Sequence, residues 1–287
     1  MTDQDKAAFE FVRELAQELA KKDFDLPPFP DTALRVKEAV SDPDISVSKL
    51  SGIVMSEPNL VARLLMMANS VAMRRGPIQV TDTRTAISRV GLDMVRNLAV
   101  SFAAREAFHA EPGSPLMHRL EQTRHHSIEV SAIAYVLARR LRRSVRPDEA
   151  MLAGLLHAVG KFYIFTRVEA FPELFGDDKK LEELTDQWGA GVGRAIVESW
   201  GFDEAISKAV DEYDVLERDP SKPSDLTDFV LMGNLIAKRD FQIDPKSLDD
   251  LADVPSLARM RLDLETLKKV LSDSSEDIES LVHTMKG

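Results

Sequence analysis

A chain of 287 residues with 44% hydrophobic and 30% charged side chains can bury a sizeable core, and its 13 glycines and 14 prolines are too few for low complexity. It contains no cysteine, which excludes disulfides, thiolate metal sites and a cysteine nucleophile and fits a reducing compartment. The net charge of −11 disfavours bulk binding to phosphate backbones. The acidic opening Met1-Thr2-Asp3-Gln4-Asp5 is not followed by an apolar block, and no run approaches the ~20 apolar residues that span a bilayer, so a soluble, cytoplasmic protein is expected.

Nearly every segment reads as helix. Phe11, Val12, Leu15 and Leu19 share one face, and the prolines of LPPFP at 26–30 end that helix. Leu34, Val36 and Val40 resume the pattern, Ser41-Asp42-Pro43-Asp44 makes a turn, and Ser46 suits the N-cap of a helix through Leu50 and Val54. Ser56-Glu57-Pro58 opens a helix largely filled by Leu60, Val61, Leu64, Leu65 and Met67. Gly91 separates helices over 83–90 and 92–108. This corner has the look of a helix-turn-helix, but its second helix offers only Arg96 and Arg105 against Asp93 and Glu106, so a packing corner is favoured over a DNA reader.

The stretch 109–115 (HAEPGSP) is the best linker. Helices are expected over 116–141, 148–167, 181–200, 203–217 and 225–239, with a looser segment at 171–180 and a break at 240–247. Arg139, Arg140, Arg142, Arg143 and Arg146 place five guanidinium groups in eight residues. A solvated helix end is the favoured reading, and a patch for phosphate or an acidic partner is the alternative. In the tail, Leu257, Met260, Leu264, Leu267 and Leu271 form a 3-4-3-4 stripe expected to pack along one helix, on its own domain or in a dimer. Ile278, Leu281, Val282 and Met285 continue a short amphipathic end. The class expected is all-α.

Of six histidines, His109, His118 and His283 read as exposed. His126 shares a face with Val130, Ile133 and Leu137 and points toward the core, whereas His125 lines up with Glu129. His157 lies with Ala150, Ala153 and Gly154, small residues that let another helix approach. Two imidazoles begin a metal site, but a hydrolytic centre needs carboxylates and an open position for water. The residue after His157 is Ala158, and Lys161 one turn on would repel a cation.

The stretches LPPFPDTALRVKEAV through VARLLMMANS, AISRVGLDMVRNLAV, HHSIEV, MLAGLLHAVGK and VGRAIVESWGFDEAISKAV, in that order, resemble the HDOD domain family over residues 25–215. That family is a bacterial signalling branch of the HD superfamily, whose enzymes are metal-dependent phosphohydrolases using a His, a His-Asp pair and a later Asp. The resemblance implies an N-terminal helical bundle over 1–110, an HD-like lobe over 116–240 and a helical extension over 245–287. It places His126 at the first histidine and His157 at the second, with Ala158 at the acid. Gly189 falls where the family often carries a histidine, and Glu212 and Tyr213 fall on a frequent His-His pair. His126, His157, Ala158 and Lys161 are thus expected to form the remnant of a metal pocket, His157 most simply as a satisfied core histidine, otherwise as part of a small-ligand pocket that meets an anion.

The function expected is that of a non-catalytic signalling module acting through another signalling protein, with no cofactor, nucleic acid or membrane, and with a homodimer through the C-terminal helix as a possibility. The alternatives are a metal-dependent phosphohydrolase drawing on acids such as Asp211, Asp214 or Glu198, and a nucleotide sensor without turnover supported by the arginine cluster.

Overall fold

The computed structural model describes residues 3–21, 31–74, 76–141, 145–239 and 245–286, so LPPFP, Arg142 and Arg143 lie outside the described residues. Among these residues the secondary structure is helical throughout, with no strand. The first group comprises α1 (Asp3–Lys21), α2 (Asp31–Ser41), α3 (Val47–Val54), α4 (Pro58–Asn69), α5 (Thr83–Val90) and α6 (Leu92–Ala107). The second comprises α7 (Pro115–Leu141), α8 (Pro147–Leu156), α9 (Val159–Val168), α10 (Pro172–Phe175), α11 (Asp178–Ser199), α12 (Glu204–Asp211) and α13 (Leu226–Ala237). After a 3-10 turn at Pro245–Leu251 come α14 (Pro255–Arg259), α15 (Leu264–Ser272) and α16 (Ser275–Lys286).

Local chemistry sets many of the boundaries. Ser46, Asp82, Asp177, Asp203 and Asp263 each accept a hydrogen bond from a backbone N–H in the first turn of the helix they precede. Gly91 turns the corner between α5 and α6 with φ of 91°, a region that glycine occupies at little cost.

The long α7 is the axis of the second group, with α8, α13 and α16 packed around it. The expected close approach of α8 occurs at Gly154, where a Cβ would lie 2.6 Å from Ser131 Cα of α7. At Gly233 of α13, a Cβ would lie 2.9 Å from Val130 O of α7. In the first group, α2 lies on α6, and α6 in turn touches α8. The sequence groups α1 with these helices, yet its Glu18 bonds Tyr163 and Arg167 of α9, and its Phe11 ring meets Phe171 edge-on.

Three expected helices differ. The span 148–167 is two helices, broken at His157-Ala158. α8 must follow α7 while α9 must follow α11, where a Cβ on Gly160 would fall 2.0 Å from Gly189 O. The span 203–217 ends at Asp211, because Glu212 has left helical geometry. The tail stripe is not one helix. Arg261 adopts a left-handed φ of 54°, and Leu262 N–H bonds Leu257 O at 2.9 Å, closing α14 before Asp263 caps α15. Leu257, Met260, Leu267 and Leu271 are all buried within this chain, so most of the stripe offered for a dimer is covered by its own core.

Candidate functional site

The break between α8 and α9 positions the central imidazole. α8 ends with carbonyls that have no partner one turn ahead, and His157 Nδ1–H donates to one of them, Gly154 O, at 2.7 Å. That bond fixes the tautomer and leaves Nε2 as a lone-pair acceptor. His157 is 1% exposed. Burial first, and neighbouring His126 second, push it down to about 3, so it is neutral at physiological pH.

His126, half-buried on α7, meets His157 edge-to-face with ring centroids 5.5 Å apart. Its Nε2–H donates to Asn234 Oδ1 at 2.9 Å. The close approach at Gly233 is what brings Asn234 of α13 within reach. Burial lowers the His126 pKa, and the Asn234 bond works against that shift. Tyr213, just beyond α12, packs its ring on the other side of His157, centroids 4.8 Å apart.

These rings form one end of a cleft of about 380 Å³ between α7, α9, α11 and α13. His126, His157, Ala158 and Lys161 all line it, so the four residues singled out in the sequence meet in space. Arg119, Gln122, Asn234 and Lys238 line it too, and sequence reasoning missed them. Asn234 carried a legible signal, as a lone amide in the apolar run FVLMGNLIA, and Lys238 follows it by one turn. Lys161 reaches Asp186 Oδ1 at 2.9 Å, and its stem runs past Gly189, whose Cβ would lie 3.2 Å from Lys161 Cγ. Arg119 pairs with Asp178 and lies over the Phe175 ring.

The donor set does not suit a divalent metal ion. Among the described residues no three His, Asp or Glu side chains are grouped to hold one. His126 spends Nε2 on Asn234, Ala158 supplies no oxygen, and Lys161 and Lys238 bring positive charge to the same space. Of the other acids considered, Glu198 and Asp211 are paired, and Asp214 lies near the lysines of the cleft. Arg194 holds Glu198 at 2.8 Å and Asp211 at 3.3 Å. Asp214 sits near Lys161 and Lys238, and partial burial raises its pKa.

The described arginines of the cluster, Arg139, Arg140 and Arg146, do not line the cleft. Arg139 donates to Ala72 O and Arg140 to Asp273 O, and both lie within 4 Å of Asp277 of α16. Arg146 bonds Asp93 at 2.5 Å and approaches Glu149. At the Gly91 corner, Arg96 pairs with Asp93.

The fold and the cleft together define an all-helical protein of the HD-like class. The HDOD domain model matches residues 26–215, and the chain belongs to that family. A crystal structure from Shewanella amazonensis SB2B, provisionally described as a metal-dependent phosphohydrolase, is 23% identical with a TM-score of 0.78, covering 98% of both chains. One from Marinobacter aquaeolei VT8, provisionally described as a signal transduction protein, is 18% identical with a TM-score of 0.56, covering 99% of this chain and 66% of that one. At these identities the likeness is one of fold. A curated Treponema pallidum (strain Nichols) protein, named only as uncharacterized, is 22% identical over 271 residues. The match covers 88% of this chain, which spans about half (51%) of that relative. No helix among the described residues is long and apolar enough to cross a membrane.

Proposed function

We propose that this chain is a signalling module that works by binding another protein and does not turn over a phosphoester. The observation that carries the reading is the His157-Ala158 pair. At the step where an HD enzyme resembling this chain needs a carboxylate beside the imidazole, a methyl group stands, and two lysines share the cleft. A divalent ion beside the two rings would meet two lysine cations in the cleft and no carboxylate on the residue after His157.

The partner side rests on surface chemistry. The net charge of −11 favours a partner with a basic face, drawn in by long-range attraction that salt weakens. Ile78 (77% exposed) and Met55 (62% exposed) add apolar contact on the first group of helices.

The test is elemental analysis of protein purified without chelator and then soaked in manganese, iron or zinc, with bis-p-nitrophenyl phosphate as a hydrolysis probe. The expected result is substoichiometric metal and no turnover above buffer. Near-stoichiometric metal that is lost on His157→Ala, accompanied by hydrolysis, overturns the reading.

A further inference from the structure

Acidic charge is spread unevenly along this chain. It carries 48 acidic residues among 287, yet the stretch 55–79 holds one, Glu57. Of the eight large apolar side chains exposed among the described residues, four fall in the same stretch: Met55, Met66, Val71 and Ile78. α4 runs through its middle. Leu60, Leu64, Met67 and Ala68 of that helix are buried, while Asn59, Ala62 and Met66 are exposed. Their 3-4 spacing puts these three on one face, and none is charged. α3, α5, α6 and α16 pack on the rest of α4 and leave this face open among the described residues.

The two ends of the open face carry opposite charge. Glu57 is the N-cap residue of α4, and its side chain caps no backbone group. Arg74 is exposed beyond the other end, its backbone N–H bonded to Ser70 O at 2.9 Å. Among the described residues neither side chain has a hydrogen bond or an ion pair. The midpoint between Glu57 and Arg74 in the sequence falls between Leu65 and Met66. An acid at one end, an arginine at the other and neutral groups between them make a surface complementary to itself when turned about a two-fold axis. Copies with a net charge of −11 repel one another over most of their surface, and an acid-poor face is where that repulsion is least. The tail stripe does not compete for this role, because most of it is buried in the chain's own core.

We propose that the chain forms a homodimer in which α4 packs antiparallel on α4 of a second copy. Met66 lies near the two-fold axis, and Ala62 is small enough for the helices to approach closely. Glu57 of each copy pairs with Arg74 of the other. Met55 and Ile78 lie outside α4 and flank the seam, where a signalling partner can still reach them. The dimer does not rest on the absence of turnover, and either can stand without the other.

The experiment is sedimentation velocity on the full chain from low to high micromolar concentration, with melting temperatures as the check on folding. The mass is expected to rise from one chain to two. Met66→Glu places two like charges at the axis and is expected to weaken the dimer about tenfold or more. Leu216→Glu, on an exposed apolar residue of the second group, leaves it unchanged. Glu57→Arg and Arg74→Glu each weaken self-association. Mixing these two variant chains restores a dimer, since each then meets an opposite charge at both ends, and so does combining both substitutions in one chain. The charge variants lie on the surface and carry the test if Met66→Glu lowers the melting temperature. A single chain at every concentration leaves the face to a different protein and overturns the proposal. So does a dimer that survives Met66→Glu, or one that mixing the charge variants fails to restore.

Discussion

His157 shows how one side chain can satisfy a helix end and a cleft at once. Its Nδ1–H closes α8 on Gly154 O, and its ring is packed between His126 and Tyr213. Because burial holds its pKa at about 3 against an ordinary 6.5, the unfolded chain binds a proton that the folded chain refuses between those values. Stability from this residue is therefore complete above about pH 6.5 and falls as pH drops toward 3, by a total on the order of 5 kcal/mol. We expect the His157 ring to keep its neutral Nδ1–H form down to about pH 4 in a ¹⁵N titration. We also expect urea unfolding to lose part of its acid sensitivity in His157→Gln. A ring that protonates near pH 6 in the folded protein would refute this account.

At the scale of elements, the two breaks that differ from the periodic pattern have different causes. The α8–α9 break follows from two close helix contacts pulling in different directions, at Gly154 onto α7 and at Gly160 onto α11. The α14–α15 break rests on Arg261, which takes a left-handed conformation that costs a side-chain residue about 1 kcal/mol or more. Arg261 is exposed, so nothing in the packing needs its side chain. We expect Arg261→Gly to raise stability by about 0.5–1 kcal/mol, the relief of strain less the extra freedom glycine gains when unfolded. Denaturant midpoints measure this directly, and a lowered midpoint would mean that the guanidinium contributes more than the strain costs. α14 itself is fastened by a buried charge cluster. Asp228 of α13 is fully buried and accepts from Arg259, Arg218 and Ser256 at 2.7–2.9 Å, joining the extension to the second group of helices.

For the whole molecule, α16 acts as a staple. It packs on both α7 and α4, Arg63 of α4 donates to Met285 O at 2.9 Å, and Lys286 pairs with Glu129 of α7 at 3.1 Å. The buried core runs continuously from Phe11 to Met285. Leu281 in this helix is fully buried, and truncating it should cost about 2–5 kcal/mol through lost contacts and the cavity left behind. The fluorescence of Trp188 and Trp200, which lie on or beside α11, should report that loss in urea, because one core unfolds as one unit. An unchanged tryptophan transition in Leu281→Ala would mean that α16 comes away separately.

Much of the class was legible in residue order. The 3.6-residue periodicity, the Ser and Asp caps and Gly91 depend on neighbours along the chain, so the all-helical class and several boundaries follow from local chemistry. His126, His157, Ala158 and Lys161 were recognisable as a group through family resemblance, and they do line one cleft. What no local pattern held was the company they keep. Asn234 and Lys238 arrive from a helix some seventy or more positions later in the chain, carried in by the close contact at Gly233. The apolar tail stripe was expected to pack on its own domain or in a dimer, and the fold buries most of it within the chain. Sequence by itself determined the all-helical class, the Ser46 cap, the Gly91 corner and the absence of an acid after His157, because each depends on a residue and its near neighbours. Tertiary structure alone decided which cations share the cleft and which arginines are spent on the chain's own acids, because charge and space are settled only when distant helices pack together.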